Sequence, residues 1–436
     1  MKILIIGASF AGLSAAVKAR QLYPEADIEV LESRSQLPTV PNALNWSLTG
    51  KKQGWSKHFF SEELLLAVGI KLSLATEVVK ILPESKRLIL ANGSSRCYDH
   101  LILAMGSTQK SHYIRGSELE GVFGCKDDQD IESKQEALAA ANRVAIIGGG
   151  QIGIEASETY LAMGKEVYLF EANPSLDFKC FDTSFLTPLV ETMETEKIRI
   201  FCGERVQAIE LGTEGLVLVT ARQRIAVDVV MLCAGLRPNT KLLQDLPILA
   251  LDQTVQVDAY LQTVLPAIWA VGDLISLPLL AKDNMTYMPL ANSALKTGEL
   301  VAYNLTQPRY ELPLSVRPVS SCQYGWYRTS LGLTAEEADL YQDISIVDYQ
   351  APFSLANPTP IYLRLIVASE TGQILGAQAL SKGDCSAIFQ PLVYAMAEQA
   401  IDEQLAFQDF LFTAGEGEIF YHLHQLLLKS LDQRGA

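Results

Sequence analysis

The residues with the most chemistry to offer are two glycine turns, each followed by an acid. Met1-Lys-Ile-Leu-Ile-Ile-Gly-Ala-Ser-Phe-Ala-Gly12 carries Gly7 and Gly12, with Ser9 at the middle position, and Glu32 lies downstream. Arg143-Val-Ala-Ile-Ile-Gly-Gly-Gly-Gln-Ile-Gly153 holds the full pattern at Gly148, Gly150 and Gly153, and Glu171 follows it. A glycine turn that opens a helix aims unpaired backbone N–H groups at one spot and favours a phosphate there. An acid at the end of the next strand accepts from a ribose hydroxyl. One imperfect turn is a weak signal, but two sets in one chain predict two dinucleotide sites.

Each turn needs a strand before it and a helix after it. Five of the first six residues are apolar, as in a strand buried on both faces. Leu13 to Arg20 is rich in helix formers, and Asp27-Ile-Glu-Val-Leu-Glu32 reads as a second strand, completing a βαβ unit. In the second copy a helix-prone stretch through Met163 leads to Glu166-Val-Tyr-Leu-Phe-Glu171. Ser33 to Trp55 is broken by prolines, asparagines and glycine, the texture of a functional loop. Ser61 to Val68 reads as a short capped helix. Segments 71–75, 77–82 and 87–90 read as an antiparallel meander, and His100-Leu-Ile-Leu-Ala-Met-Gly106 as a buried strand ending in glycine. The second copy repeats the order, with meander segments 197–201, 206–210 and 216–220 and a closing strand from Asp228 to Gly235. Ser107 to Asn142 reads as a hinge plus a helix. Ile268-Trp-Ala-Val-Gly-Asp273 is one more strand.

From about Leu312 the texture changes. Segments 344–347, 361–367 and 373–379 read as antiparallel strands, and 386–399 and 420–431 as helices, which suggests a separate α+β domain. The expected fold is α/β: two doubly wound dinucleotide-binding domains plus a carboxy-terminal α+β domain. The expected divisions are 1–110 with 237–311, 111–236, and 312–436.

At 436 residues, about three domains are expected. A net charge of −15 argues against nucleic acid or an anionic membrane as partner. No window reaches about 18 uninterrupted apolar residues, so no membrane span is expected, and no signal peptide is evident. Seven scattered cysteines without close spacing read neither as a disulfide framework nor as a zinc site, and fit a reducing cytoplasm. No metal site is expected; His422 and His424, two apart in a predicted helix, cannot share a face.

Together these residues resemble the flavoprotein pyridine nucleotide-disulfide oxidoreductases, especially the branch of NADH peroxidase, water-forming NADH oxidase and coenzyme A-disulfide reductase. The resemblance implies FAD on the first turn, with Gly7, Ser9, Phe10, Ala11, Gly12 and Val78 around it and Glu32 on the adenosine ribose. It implies NADH on the second turn, at Gly148, Gly150, Gln151, Ile152 and Gly153, with Glu155 helping to place the nicotinamide. Glu171 suits a free 2′-hydroxyl, and Ala172-Asn-Pro174 supplies no arginine, so NADH is preferred, although Lys165 keeps NADPH open. Gly272-Asp273 matches the segment that meets the FAD ribityl and phosphate. Ala104-Met-Gly106 is similar to the family's Ala-Thr-Gly strand end, and Ala234-Gly-Leu-Arg-Pro-Asn239, with Gly235, to its Gly-Val-Arg-Pro-Asn stretch. Tyr287 to Ala294, with Leu290 and Ala291, resembles the helix start beneath the isoalloxazine. The last domain resembles the family's dimer interface, through Gly376-Ala-Gln378 and Ser381-Lys-Gly-Asp384.

The departures concern the acceptor side. The branch's redox cysteine position falls on Asn42, and no cysteine precedes Cys97. An amide cannot store two electrons or attack a disulfide. Phe10 stands where the peroxidases place histidine, Gln151 replaces an aromatic, and Phe412-Thr-Ala-Gly-Glu416 replaces a proline- and phenylalanine-containing stretch. The flavin-proximal candidates are therefore Phe10, Asn42 and Glu155. Cys322 or Cys385 offers an alternative relay. Trp46, Tyr324 and Trp326 are candidates for an acceptor pocket, with packing the stronger reading. The expected function is NADH-to-flavin hydride transfer, then direct passage to dioxygen, a quinone-like molecule or a small electron-transfer protein. The alternatives are a regulatory flavoprotein with little turnover and a disulfide or polysulfide reductase using an interface cysteine.

Overall fold

Ile3, Leu4 and Ile5 are shut away from solvent because Lys2–Ile6 runs through the middle of a sheet, with neighbours on both sides. In the computed structural model this sheet has the order Lys71–Ser73, Asp27–Leu31, Lys2–Ile6, His100–Leu103, Ile268–Ala270, all parallel. The structure describes residues 1–436 except 41–47, 49–58, 110–113, 127–130, 214, 281–283, 355–356, 412–418 and 436, together with the side chains of 131–133. The second sheet repeats the arrangement: Arg199–Cys202, Glu166–Glu171, Arg143–Ile147, Val229–Leu232, Val122–Gly124, again all parallel. In each sheet the chain leaves the central strand to one side and later returns on the other. A crevice opens at that reversal, at the carboxyl ends of the strands.

Two readings of the sequence require correction. Lys71–Ser73 and Arg199–Cys202 are not meander strands: each is the parallel edge of its sheet. Both edge strands are only half-buried, each with an exposed first residue, so they lack the continuous apolar run of a central strand and read like meander strands. The antiparallel three-stranded meanders are Val78–Leu82, Arg87–Leu90, Ser95–Cys97 and Val206–Gly212, Gly215–Thr220, Arg224–Val227. The polar stretch read as hinge plus helix also holds two strands, Ser107–Gln109 and Val122–Gly124, besides the helix Ile131–Ala140. Ser107–Gln109 pairs antiparallel with Leu236–Pro238, so two crossings of the chain between the sheets are zipped together.

The helices Phe10–Leu22 and Ala291–Asn304 pack closely over the first sheet. A Cβ on Gly298 would collide with the Ala11 carbonyl, so glycine permits the approach. The carboxy-terminal part is an antiparallel sheet in the order Val319–Gln323, Trp326–Gly332, Ile374–Ser381, Pro360–Ala368, Ile344–Pro352, with the helices Phe389–Ala397 and Ile419–Gly435. Its first two strands were not anticipated, because Ser320, Ser321, Arg328, Thr329 and Ser330 dilute the hydrophobic alternation. Among the described residues, no helix is long and apolar enough to cross a membrane.

Candidate nucleotide and redox site

The two turns are built alike atom for atom. Gly7 adopts φ +107° and Gly148 φ +116°, where side chains are strained. A Cβ on Gly12 would fall on the Gly7 carbonyl oxygen, and one on Gly153 on that of Gly148. Ser9 and Gly150 precede the helices Phe10–Leu22 and Gln151–Ala162 in extended conformation, and neither helix start receives a side-chain cap. The first-turn N–H groups are thus left for an anion.

The two acids match as well. Glu32 accepts from the N–H of Ala8 at 3.0 Å and of Arg34 at 3.0 Å; Glu171 accepts from Gly149 N–H at 2.7 Å and Asn173 N–H at 2.7 Å. Both carboxylates are buried, at 7% and 8% exposure, so hydrogen bonding to the turn offsets their desolvation. Ser9 does not disturb this geometry, because the middle position lies outside the collision that demands Gly12.

A cleft of about 760 Å³ opens beside the first turn, of a size that suits a large organic cofactor. Gly7, Ser9, Phe10, Ala11, Glu32 and Val78 line it, as do Ala104, Gly106, Asp273, Leu290 and Ala291. From the second nucleotide unit the helix Gln151–Ala162 reaches it through Gln151, Ile152, Ala156 and Tyr160, and the strand ends beside it through Cys125, Lys126, Met231 and Cys233. Gly148, Gly150, Gly153, Glu171 and Gly235 lie outside this lining, and the half-buried Glu155 stands beside it on the same helix. Gln151 donates to the Ser320 carbonyl at 3.3 Å, which ties it to the carboxy-terminal sheet. Phe10 packs against Phe59, with ring centroids 5.1 Å apart. Asn42, Trp46 and 412–416 lie outside the described residues.

Gly272 takes φ +66° with its N–H on Thr297 Oγ1 at 3.0 Å, and a Cβ there would come within 2.9 Å of Ala11 Cβ. Its neighbour Asp273 accepts from Ser107 Oγ at 2.5 Å and from Lys126 Nζ at 2.9 Å. Burial, with the Asp273 charge nearby, pushes the Tyr287 phenol up. Ser107 and Lys126 were not found in the sequence. Nothing in their spacing links them to Asp273, since the contact spans the hinge.

The alternative relay residues fare unequally. Cys322 is exposed on Val319–Gln323, whereas Cys385 is buried and its thiol is pushed up to about 12, chiefly by burial. Tyr324 and Trp326 are packing residues: Tyr324 Oη lies 2.7 Å from Ser157 Oγ, and Trp326 Nε1 donates to Thr192 Oγ1 at 2.9 Å. They anchor the carboxy-terminal sheet to the second nucleotide unit. His422 lies between Tyr349 Oη and the Phe353 carbonyl, while His424 meets the Ala406 carbonyl, so their ring nitrogens serve different neighbours.

Cys125 and Cys233, far apart in sequence and singled out by no spacing, meet in the cleft wall. Asp177 and Arg328 form another unforeseen pair behind the second turn, 3.2 Å apart and almost wholly buried. Asp177 N–H donates to the Gly149 carbonyl at 2.9 Å, which couples this ion pair to the turn.

The profile of the family described as pyridine nucleotide-disulphide oxidoreductase matches residues 1–298. An NADH oxidase of Enterococcus faecalis is 28% identical over 424 residues, spanning 94% of this chain and 95% of that protein. A CoA-dependent NAD(P)H sulfur oxidoreductase of Pyrococcus furiosus is 26% identical, over 87% of this chain and 88% of that protein. Among solved structures, a pyridine nucleotide-disulfide family oxidoreductase from Enterococcus faecalis superposes with TM-score 0.90 at 30% identity over the whole of both chains. The water-forming NADH oxidase of Lactobacillus brevis, bound to NADH, superposes with TM-score 0.92 at 25% identity over 99% of both. With two matched glycine turns, two matched acids and a shared cleft, this chain belongs to the pyridine nucleotide-disulphide oxidoreductase family.

Proposed function

We propose that this protein is an FAD-containing, NADH-preferring oxidoreductase that passes electrons directly to an acceptor, with no cysteine interposed at the flavin. The observation that carries the reading is the pair of identical turn-and-acid constructions, one lining the cleft and the other sending its helix start into it. When bound, FAD supplies the capacity to take a hydride from NADH and release the electrons to dioxygen, a quinone-like molecule or a small electron-transfer protein. The protein's part is binding, orientation and exclusion of water. The N–H groups after Gly7 hold one pyrophosphate and those after Gly148 the other, while Glu32 and Glu171 take the riboses. Asp273, steadied by Ser107 and Lys126, accepts from the ribityl chain. Phe10, Ala11, Ile152 and Leu290 supply apolar wall.

Preference for NADH rests on Glu171, whose buried carboxylate opposes a 2′-phosphate. Lys165, the nearest cation in sequence, donates to the carbonyls of Ala139 and Ala141 at 2.7 and 2.6 Å. The proposal includes the divisions 1–110 with 237–311, 111–236 and 312–436, and a homodimer formed by the last. Tyr394, Phe407 and Leu411 there are more than two-thirds exposed, a large apolar outlay for an uncovered face. It also includes a cytoplasmic location, in keeping with the scattered cysteines.

Anaerobic mixing of the holoprotein with NADH tests the reading. Flavin bleaching within seconds, without a thiolate–flavin charge-transfer band, supports it. A slow spectral change favours a regulatory flavoprotein instead, and such a band refutes direct passage. An anaerobic acceptor screen, with peroxide assayed separately in air, then identifies the acceptor. The likeness to the Pyrococcus sulfur oxidoreductase favours a second reading, a sulfur reductase working through Cys322. Thiol production that survives Cys322→Ser and Cys385→Ser ends that reading.

A further inference from the structure

Cys125 and Cys233 stand one residue past the last paired rung of neighbouring parallel strands, where Gly124 is in register with Leu232. Cys125 N–H donates to the Leu232 carbonyl at 3.0 Å and Cys233 N–H to the Ile147 carbonyl at 2.8 Å, so the register continues to the cysteines. Neighbouring strands lie about 4.8 Å apart and register partners point to one face. That spacing falls within the window of about 4.4–6.8 Å between Cα atoms that a disulfide requires. The two thiols are close enough to influence each other's ionisation. Both residues line the cleft, and neither is fully buried.

The surroundings make the two sulfurs unequal. The neighbouring Cys233 thiol, against the opposing effect of burial and with help from Lys126, holds the Cys125 thiol below its ordinary range. The Cys125 sulfur in turn, together with burial, drives Cys233 well above its own. One sulfur is therefore disposed to be the nucleophile and the other to stay protonated until needed.

We propose that Cys125 and Cys233 are a peroxide-oxidisable thiol pair that closes reversibly to a disulfide in the cleft wall. The Cys125 thiolate attacks one oxygen of hydrogen peroxide. The O–O bond breaks, Cys125 becomes a sulfenic acid, and the departing hydroxide takes up a proton to become water. The Cys233 sulfur then attacks the sulfenic sulfur; the S–S bond forms, the S–O bond breaks, and the hydroxyl leaves as water with the Cys233 proton. In sum, two thiols and one hydrogen peroxide give one disulfide and two waters, and a small dithiol reverses the change. The pair is separate from the proposed route of electrons to the acceptor. If dioxygen is that acceptor, peroxide arises in the same cleft.

The test uses the reduced, desalted holoprotein and one equivalent of hydrogen peroxide. Samples are then alkylated under denaturing conditions and mapped by mass spectrometry without reduction. A Cys125–Cys233 linked peptide is expected, removed by dithiothreitol, with Cys125 losing alkylation about tenfold faster than the exposed Cys97 and Cys322. In Cys233→Ser, Cys125 is expected to stop at a sulfenic acid captured by dimedone; in Cys125→Ser, Cys233 is expected to remain alkylatable. The proposal is overturned if wild-type Cys125 and Cys233 stay alkylated while the exposed cysteines oxidise. A Cys125 disulfide to any other cysteine overturns it equally. The wild-type map decides the question without relying on either variant to fold.

Discussion

Replacing Arg328 by methionine should cost the protein far more than the loss of one surface charge. Arg328 has no solvent exposure, and its Nε donates to Ser321 Oγ at 2.8 Å. Its Nη1 faces Asp177 at 3.2 Å, yet neither Nη atom has a hydrogen-bond acceptor among the described residues. The pair is thus held by charge rather than by directed hydrogen bonds, in a place where both ions have lost their water. Removing one partner of such a pair costs about 3–5 kcal/mol, because the other is left charged and buried. At about 2–4 °C per kcal/mol for a unit of this size, the melting temperature should fall by roughly 6–20 °C. Burial already raises the Asp177 pKa and Arg328 opposes that rise, so the variant's aspartic acid ionises at still higher pH. A raised folded-state pKa means stability that is present below the unfolded value and lost as pH rises. The deficit of Arg328→Met should therefore be smallest near pH 4 and grow towards neutrality. The double variant Arg328→Met with Asp177→Leu exchanges the pair for apolar volume and should recover most of the loss. Melting curves of the four proteins across pH 4–8 measure the cycle. The reasoning fails if Arg328→Met melts with the wild type, or if the double variant is no more stable than the single one.

Three further outcomes follow from the site and its sheet. Glu171→Ala should raise KM for NADH about tenfold, about 1.4 kcal/mol, with kcat little changed and the preference over NADPH narrowed; steady-state kinetics with both nucleotides checks this. Gly12→Ala sets a Cβ against the Gly7 carbonyl and 3.3 Å from Ala104 Cβ, so it should lower stability by about 1–3 kcal/mol and reduce the flavin retained per chain, read from visible absorbance. Although burial works against it, Ser73, Lys71 and Arg96 together hold the Glu29 carboxyl below the usual glutamate range. Its contribution is present at neutral pH and disappears as pH falls through that lowered value. Glu29→Gln should therefore cost about 1–2 kcal/mol at pH 7 and less in acid, as denaturant titrations at both pH values will read.

Much of this protein was settled within short stretches of sequence. Gly12 and Gly153 are required by contacts inside a few residues of chain, Gly7 and Gly148 by their own positive φ, and apolar runs such as Ile3 to Ile6 follow from burial on both faces of a sheet. Local constraints of that kind leave a local pattern, which is why both turns, both acids and the doubled α/β plan were legible. Edge strands were not, because Lys71–Ser73 and Arg199–Cys202 differ from meander strands only in what lies beside them. Nor were the contacts made when distant strands end together: Lys126 and Ser107 on Asp273, Arg328 against Asp177, and Cys233 against Cys125. Each of these depends on parallel register or on packing between sheets. A hydrogen bond or ion pair across such a junction imposes no spacing on the chain, so only the tertiary structure could decide it.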